Sequence, residues 1–193
     1  PTWLQLRWCL RMAEPRRIIV GISGASGAVY GVALLQALRA MPGVQTHLVV
    51  SDAGWLNIQH ETALSREQVL ALAHQMHDNA SIGASIASGS FGAQAMVVAP
   101  CSMRTLAAIA HGLADNLLTR AADVVLKERR RLVLLTRESP LHLVHLRNMA
   151  TATELGAICC PPLPAFYQRP TMVGEIVDHS VARALDLLGI EHD

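Results

Sequence analysis

Arg16-Arg-Ile-Ile-Val-Gly-Ile-Ser-Gly-Ala-Ser-Gly-Ala-Val-Tyr-Gly31 is the stretch on which the fold turns. Ile18, Ile19 and Val20 make a β-branched run that suits a buried strand. A turn of Ser, Gly and Ala follows, and an Ala/Leu-rich helical pattern begins near Ala28. Strand, small-residue turn and helix N-terminus in that order build an anion site. The first-turn N–H groups have no intrahelical acceptor, and the helix dipole leaves that end positive. Gly24 and Gly27 let the backbone approach a ligand, while Ser23 and Ser26 offer hydroxyls and helix caps. The spacing is G-x-x-G-x-x-G (Gly21, Gly24, Gly27), not the dinucleotide G-x-G-x-x-G, and no Gly-Lys-Ser/Thr follows as in a P-loop. The same stretch also reads, more plainly, as a tight βα turn whose small residues serve packing.

Working outward, strands and helices alternate. Residues 28–40 carry Val32, Leu34, Leu35 and Leu38 at helical spacing, and Pro42-Gly43 ends that helix. Residues 44–50 read as the second strand, closed by Ser51 on the same sheet edge as the first turn, where it serves as ligand contact or simply as a helix cap. Helices are expected over 52–60 and after Ser65, then an aperiodic Ser/Gly/Ala/Asn-rich loop over 77–92. Residues 95–99 are a buried strand, and Pro100-Cys-Ser-Met-Arg-Thr105 opens a helix to about Ala110, a second hydroxyl-bearing strand-to-helix turn. A long helix over 114–130 places Arg120, Asp123 and Lys127 on one face, with Asp123 pairing one of the cations or the whole face simply solvated. Residues 132–136 form the next strand, with Arg137-Glu138 at its carboxyl end and Ser139-Pro140 as cap and first residue of a helix. A short strand over 157–160, a rigid Pro-rich loop over 161–170 and a closing helix over 172–188 complete an α/β sandwich with a mainly parallel sheet.

Composition narrows the function. The chain has 193 residues, enough for a single domain with a sizeable core; 51% are hydrophobic and only 16% charged. No apolar run is long enough to span a bilayer, so the excess apolar surface is expected in subunit contacts, making a homo-oligomer. A net charge of +1 gives no case for nucleic acid. Cys9, Cys101, Cys159 and Cys160 lack metal-site spacing, and no histidine pair forms a metal motif, so no metal is expected. Cys101 reads as a small buried residue rather than a nucleophile. Reduced thiols fit a cytoplasmic protein. Residues 1–15 read as an N-terminal extension, with Met12 a natural start, and residues 16–190 as the domain.

These residues define a Rossmann-like domain with two phosphate cradles, suited to a mononucleotide and a second anionic ligand. Five strings in register carry a closer likeness: Val20-Gly-Ile-Ser-Gly-Ala-Ser-Gly27, Pro100-Cys-Ser-Met-Arg-Thr105, Thr119-Arg-Ala-Ala-Asp-Val-Val-Leu-Lys-Glu-Arg-Arg130, Arg137-Glu-Ser-Pro-Leu-His142 and Pro164-Ala-Phe-Tyr-Gln-Arg-Pro170. They resemble flavin prenyltransferases of the UbiX/Pad type, long described as decarboxylases, over about residues 16–190. The resemblance implies a flavodoxin-like three-layer sandwich and a metal-free reaction. In it the dimethylallyl group of dimethylallyl phosphate is joined to N5 and then C6 of reduced FMN. The product, prenylated FMN, serves a UbiD-type decarboxylase, commonly in ubiquinone synthesis.

By the same resemblance, Gly24, Ala25, Ser26, Ser51, Ser102, Met103, Arg104, Thr105 and Arg137 would hold FMN. Arg120, Lys127, Tyr167 and Arg183 would bind the prenyl phosphate. Glu138 would be the acid/base, with Ser26 and Glu61 assisting. A dodecamer would follow as well. The chain departs from the family pattern at Asp52, where many relatives are basic, and near Ile82, where some carry an aromatic residue; it also stops at Asp193, where many continue into a Trp-bearing tail. Two other readings share the fold: an FMN-dependent peptidyl-cysteine decarboxylase and a non-catalytic flavin-binding subunit. Glu138 together with the full cation set favours the transferase.

Overall fold

Strands β1 (Arg16–Ile22), β2 (Val44–Val50), β3 (Gln75–His77), β4 (Ala95–Cys101), β5 (Arg131–Thr136) and β6 (Ala157–Cys159) pair in parallel, in the order β3-β2-β1-β4-β5-β6. The structure is a computed structural model and describes residues 15–192. The expected start at Met12 and all but the last residue of the expected extension lie outside the described residues. Helices are α1 (Ala28–Ala40), α2 (Asp52–Glu61), α3 (Arg66–Leu72), α4 (Met103–Ala110), α5 (Leu117–Lys127), α6 (Leu143–Glu154) and α7 (Val173–Leu188).

Two cores sandwich the sheet. Ile18, Val20 and Ile22 of β1 point to one face, where Leu34, Leu35 and Leu38 of α1 and Val181 and Leu185 of α7 cover them. Ile19 points to the other, against Leu106 of α4 and Leu117, Leu118 and Val125 of α5. This period-2 alternation with both faces buried explains why the central strands read as unbroken apolar runs. At Gly31 a Cβ would come within 2.3 Å of the Ala99 carbonyl oxygen, so only glycine lets α1 sit this close to β4.

The structure departs from expectation in four places. β3 lies within what reads as the end of a helix and the start of a loop; its three residues are held by pairing to β2. β4 continues to Cys101, its pairing with β5 shifting register between Val98 and Cys101, which accommodates Pro100. α5 starts only at Leu117, after the Asn116 side chain accepts the Thr119 N–H at 3.0 Å. Ser139-Pro140 does not begin α6. The Ser139 N–H is taken by the Glu138 carboxylate at 3.0 Å, and His142 is the cap, its Nδ1 accepting the Val144 N–H at 3.2 Å.

Candidate functional site

Between β1 and β4 the strand order reverses, so the loops leaving their carboxyl ends diverge and leave a crevice. Ser23, 1% exposed, fastens these two loops together. Its hydroxyl donates to the Pro100 carbonyl at 2.9 Å and accepts the Ser102 N–H at 2.8 Å, while its own N–H reaches Pro100 O at 3.2 Å. A serine hydroxyl has one proton and two lone pairs, and here it bridges both loops. Sequence reasoning singled Ser23 out only as a hydroxyl or a cap; nothing in its spacing reveals a partner 79 residues away.

The remaining cradle residues follow from the strand ends. Gly24, Ala25 and Ser26 form the turn after β1, with the Ala25 N–H bonded to Ser23 O at 2.9 Å. Neither Ser23 nor Ser26 caps α1. Gly27 is the cap residue, in the left-handed region at φ 104, and Glu61 Oε2 accepts the N–H groups of Gly27 at 2.7 Å and Ala28 at 2.8 Å. Glu61 therefore occupies the positive end of α1, a role its sequence position gave no means of reading. Ser51 caps α2, accepting the Gly54 N–H at 3.0 Å, and its own N–H holds Ile22 O at 3.0 Å. Ser102 caps α4, accepting the Thr105 N–H at 3.2 Å and donating to Thr105 Oγ1 at 3.1 Å. Met103 packs into the second core, and Arg104 is exposed and paired with Asp115 at 2.5 Å.

Arg137 stands at the end of β5, its N–H bonded to Cys101 O at 3.1 Å. Its guanidinium is exposed and meets no partner among the described residues. Glu138 follows it at the same edge. Cys101 is fully buried and burial pushes its thiol far above the usual range, so it is a packing residue. Beyond β6, Arg183 lines a cavity of about 60 Å³ with Leu135, Cys160, Pro161, Leu163 and His179. Tyr167 sits nearby, its ring meeting His179 edge-on at 6.2 Å, and Arg183 approaches Asp186 at 3.5 Å.

Lys127 lies elsewhere. α5 runs back along the sheet toward the start of β5, so its last residue reaches the amino edge. There Lys127 Nζ pairs with Glu128 at 2.7 Å, and the neighbouring Arg130 donates to Gly89 O at 3.3 Å, just before β4 begins. A strand's length, roughly 20 Å, separates that edge from Arg137. Arg120 is nearly two turns earlier on α5 and pairs with Asp123 at 2.7 Å, as expected. One chain therefore gathers Gly24 to Ser26, Ser51, Ser102 to Thr105, Arg137 and Glu138 at one edge, with Tyr167 and Arg183 beyond β6. It does not bring Lys127 to them. A groove of about 930 Å³ between α1 and α7 is lined by Arg16 and Val44 at the amino edge and is separate from these residues. Among the described residues no group of three or more His, Cys, Asp or Glu is placed to hold a metal ion, and no described helix is long and apolar enough to cross a membrane.

A parallel sheet whose switch point is lined by capped helix starts and hydroxyls, with an arginine that has no partner among the described residues at the next strand end, defines a nucleotide-binding α/β protein. The family model described as Flavoprotein matches residues 9–184. The flavin prenyltransferase UbiX of Neisseria meningitidis serogroup B is 59% identical over 176 residues, covering 91% of this chain and 93% of that protein. The crystal structure of AnUbiX (PadA1) in complex with FMN and dimethylallyl pyrophosphate superposes with a TM-score of 0.90 at 48% identity, covering 92% of this chain and 94% of that one. A dodecameric FMN-dependent UbiX-like decarboxylase from Escherichia coli O157:H7 gives a TM-score of 0.89 at 54% identity, covering 91% of this chain and 95% of that one. The chain belongs to the flavin prenyltransferase UbiX family.

Proposed function

We propose that this protein joins the dimethylallyl group of dimethylallyl phosphate to N5 and C6 of reduced FMN and hands the prenylated FMN to a UbiD-type decarboxylase. The observation that carries the reading is the carboxyl edge itself, where the unpaired Arg137 and the adjacent Glu138 stand beside the Ser23-clamped turns. Those residues fit FMN. Arg137 is an uncommitted cation, and the Ser26 hydroxyl is exposed with no partner among the described residues.

Reduced FMN supplies the two nucleophilic ring positions; the chain supplies charge and position. As the allylic C–O bond breaks, the phosphate leaves with the bonding pair, and Arg183 with Tyr167 would hold it. Fixed cations stabilise that developing charge most in the transition state. Glu138 takes the proton released from C6 when the second bond closes. Arg120 and Lys127 complete the phosphate site from a neighbouring copy, since Lys127 is at the far edge of its own chain. An oligomer also accounts for the exposed Leu143, Val144 and Leu146 on α6 and for Leu163, Phe166 and Val173 in and after the Pro-rich loop. By analogy with the E. coli O157:H7 assembly we take that oligomer to be a dodecamer. The setting is cytoplasmic, with ubiquinone synthesis or aromatic acid decarboxylation consuming the product.

Anaerobic incubation of the purified protein with reduced FMN and dimethylallyl phosphate, followed by mass spectrometry of the released flavin, tests this. The expected flavin is heavier by one five-carbon prenyl unit. Unmodified, tightly bound FMN would overturn the transferase reading in favour of a thiol decarboxylase or a flavin-binding subunit.

A further inference from the structure

The Pro-rich loop carries a cation that neither the flavin cradle nor a single phosphate engages. After the short helical turn Phe166–Gln168, Arg169 is the cap residue at φ 54, its N–H bonded to Phe166 O at 3.0 Å. That left-handed region is open to glycine and entered by an L side chain only at a cost. No hydrogen bond or ion pair of the side chain offsets the cost: the guanidinium is exposed and has no partner among the described residues.

Arg169 lines a cavity of about 270 Å³ between the loop and the start of α7, together with Gln168, Glu175, Ile176 and His179. His179 also lines the 60 Å³ cavity that holds Arg183, one helical turn further along α7. Two cavities therefore meet at one imidazole, with Arg169 in one and Arg183 in the other, and the Tyr167 ring stands edge-on to that imidazole at 6.2 Å. A neutral imidazole keeps one N–H donor in either tautomer. The carboxylate in the lining is already engaged. Glu175 Oε2 accepts the N–H groups of Thr171 at 2.5 Å and Met172 at 3.1 Å, which fixes it at the start of α7.

We infer that the larger cavity is a second anion subsite, in which Arg169 and His179 take the distal phosphoryl group of an allylic diphosphate whose proximal phosphoryl group sits at Arg183 and Tyr167. This rests on the reading that the chain transfers a prenyl group from a phosphate ester. His179 and Arg183 are four residues apart on one helix face, which sets their Cβ atoms about 5–6 Å apart. Two linked phosphoryl groups cover that span and a single one does not. The diphosphate also carries more charge than the monophosphate, and Arg169 is the cation that answers it. When the allylic C–O bond breaks, its electron pair leaves on the diphosphate. N5 of reduced FMN supplies the pair of the new C–N bond and releases its proton to water, so nothing is oxidised or reduced.

The full chain, with reduced FMN under anaerobic conditions and no added divalent metal, is compared with Arg169→Gly and His179→Phe. Prenylated flavin, counted by mass spectrometry, gives kcat/KM on dimethylallyl diphosphate and on dimethylallyl phosphate. The wild type is expected to use both. In each variant the ratio of kcat/KM, diphosphate over monophosphate, should fall about tenfold through the KM for the diphosphate, the loss of one charge-assisted hydrogen bond. Glycine is at ease at φ 54, so Arg169→Gly should melt at or above the wild-type temperature, which separates lost binding from a lost fold. Arg169→Lys, which keeps the charge, should recover most of the ratio. An unchanged ratio in either variant, or a wild type that uses the monophosphate but not the diphosphate, would overturn the inference alone. Proportional loss on both substrates would do the same and give the two residues a structural role. No prenylated flavin from either substrate would overturn the functional reading, and this inference with it.

Discussion

Glu61 Oε2 accepts the backbone N–H of Gly27 at 2.7 Å, closing a contact across 34 residues of chain. The same oxygen takes the Ala28 N–H at 2.8 Å. The start of α1, which by sequence is an anion site, is thus already filled by the protein's own carboxylate. Ligand anions at this edge must look instead to Arg137 and the hydroxyls. A carboxylate there satisfies two orphan donors and sits at the positive end of the dipole.

Glu61→Ala is therefore expected to lower stability by about 1–2 kcal/mol, and Glu61→Gln by about half of that, since the amide oxygen still accepts but the charge is gone. Urea unfolding of the two variants measures this. Unchanged midpoints with lost turnover would mean that Glu61 acts on substrate and not on the helix.

Ser23→Ala tests the fastening of the two loops. Pro100 O keeps the Ser23 N–H, but the Ser102 N–H loses its acceptor in a partly buried setting. An expected loss of about 2 kcal/mol follows, seen as a lower urea midpoint with an unchanged slope. FMN affinity should fall too, because Ser102 is itself the cap of α4. A variant with normal stability and normal flavin affinity would show that the crevice does not depend on this hydroxyl.

The readable parts of the fold were those where burial on both faces leaves a continuous apolar run, as in Ile18 to Ile22, Leu48 to Val50 and Leu132 to Leu135. β3 carries no such run: Gln75, Met76 and His77 become a strand only by pairing with His47, Leu48 and Val49. The family likeness supplied the set of site residues, but likeness is indifferent to which edge of the sheet a residue occupies. Helical spacing placed Arg120 and Lys127 on one face of α5, and only the direction of α5 shows that Lys127 lies at the amino edge. Glu61 carries no local pattern at all. Its significance is one carboxylate oxygen shared by two backbone donors, visible only in three dimensions.

Glu138 carries the chemical test. Its Oε1 accepts the Ser139 N–H at 3.0 Å, a bond that the amide oxygen of Glu138→Gln also makes. The variant is expected to fold, bind FMN and form the bond to N5. It should stall before the bond to C6, because no carboxylate is present to take the proton. Absorbance of the released flavin separates the one-bond from the two-bond adduct. Complete ring closure would remove Glu138 from the mechanism.

The buried histidine pair on the second face is expected to make the fold acid-sensitive. His47 Nδ1 and His77 Nε2 share a proton at 3.0 Å, and both residues are at most 5% exposed. Burial, then the nearby His77, Arg17 and His74, lower the His47 pKa from 6.5 to about 4, and burial lowers that of His77 as well. The unfolded chain takes up the His47 proton near pH 6.5, the folded chain only near pH 4. Across that window the unfolded state binds more protons, so stability is full above it and falls as pH drops, by about 3 kcal/mol for His47 alone. His47→Phe keeps a ring against Phe91 and removes the titrating group. Urea midpoints between pH 4.5 and 7.5 should slope steeply for the wild type and much less for the variant. Parallel slopes would place the acid sensitivity elsewhere in the molecule.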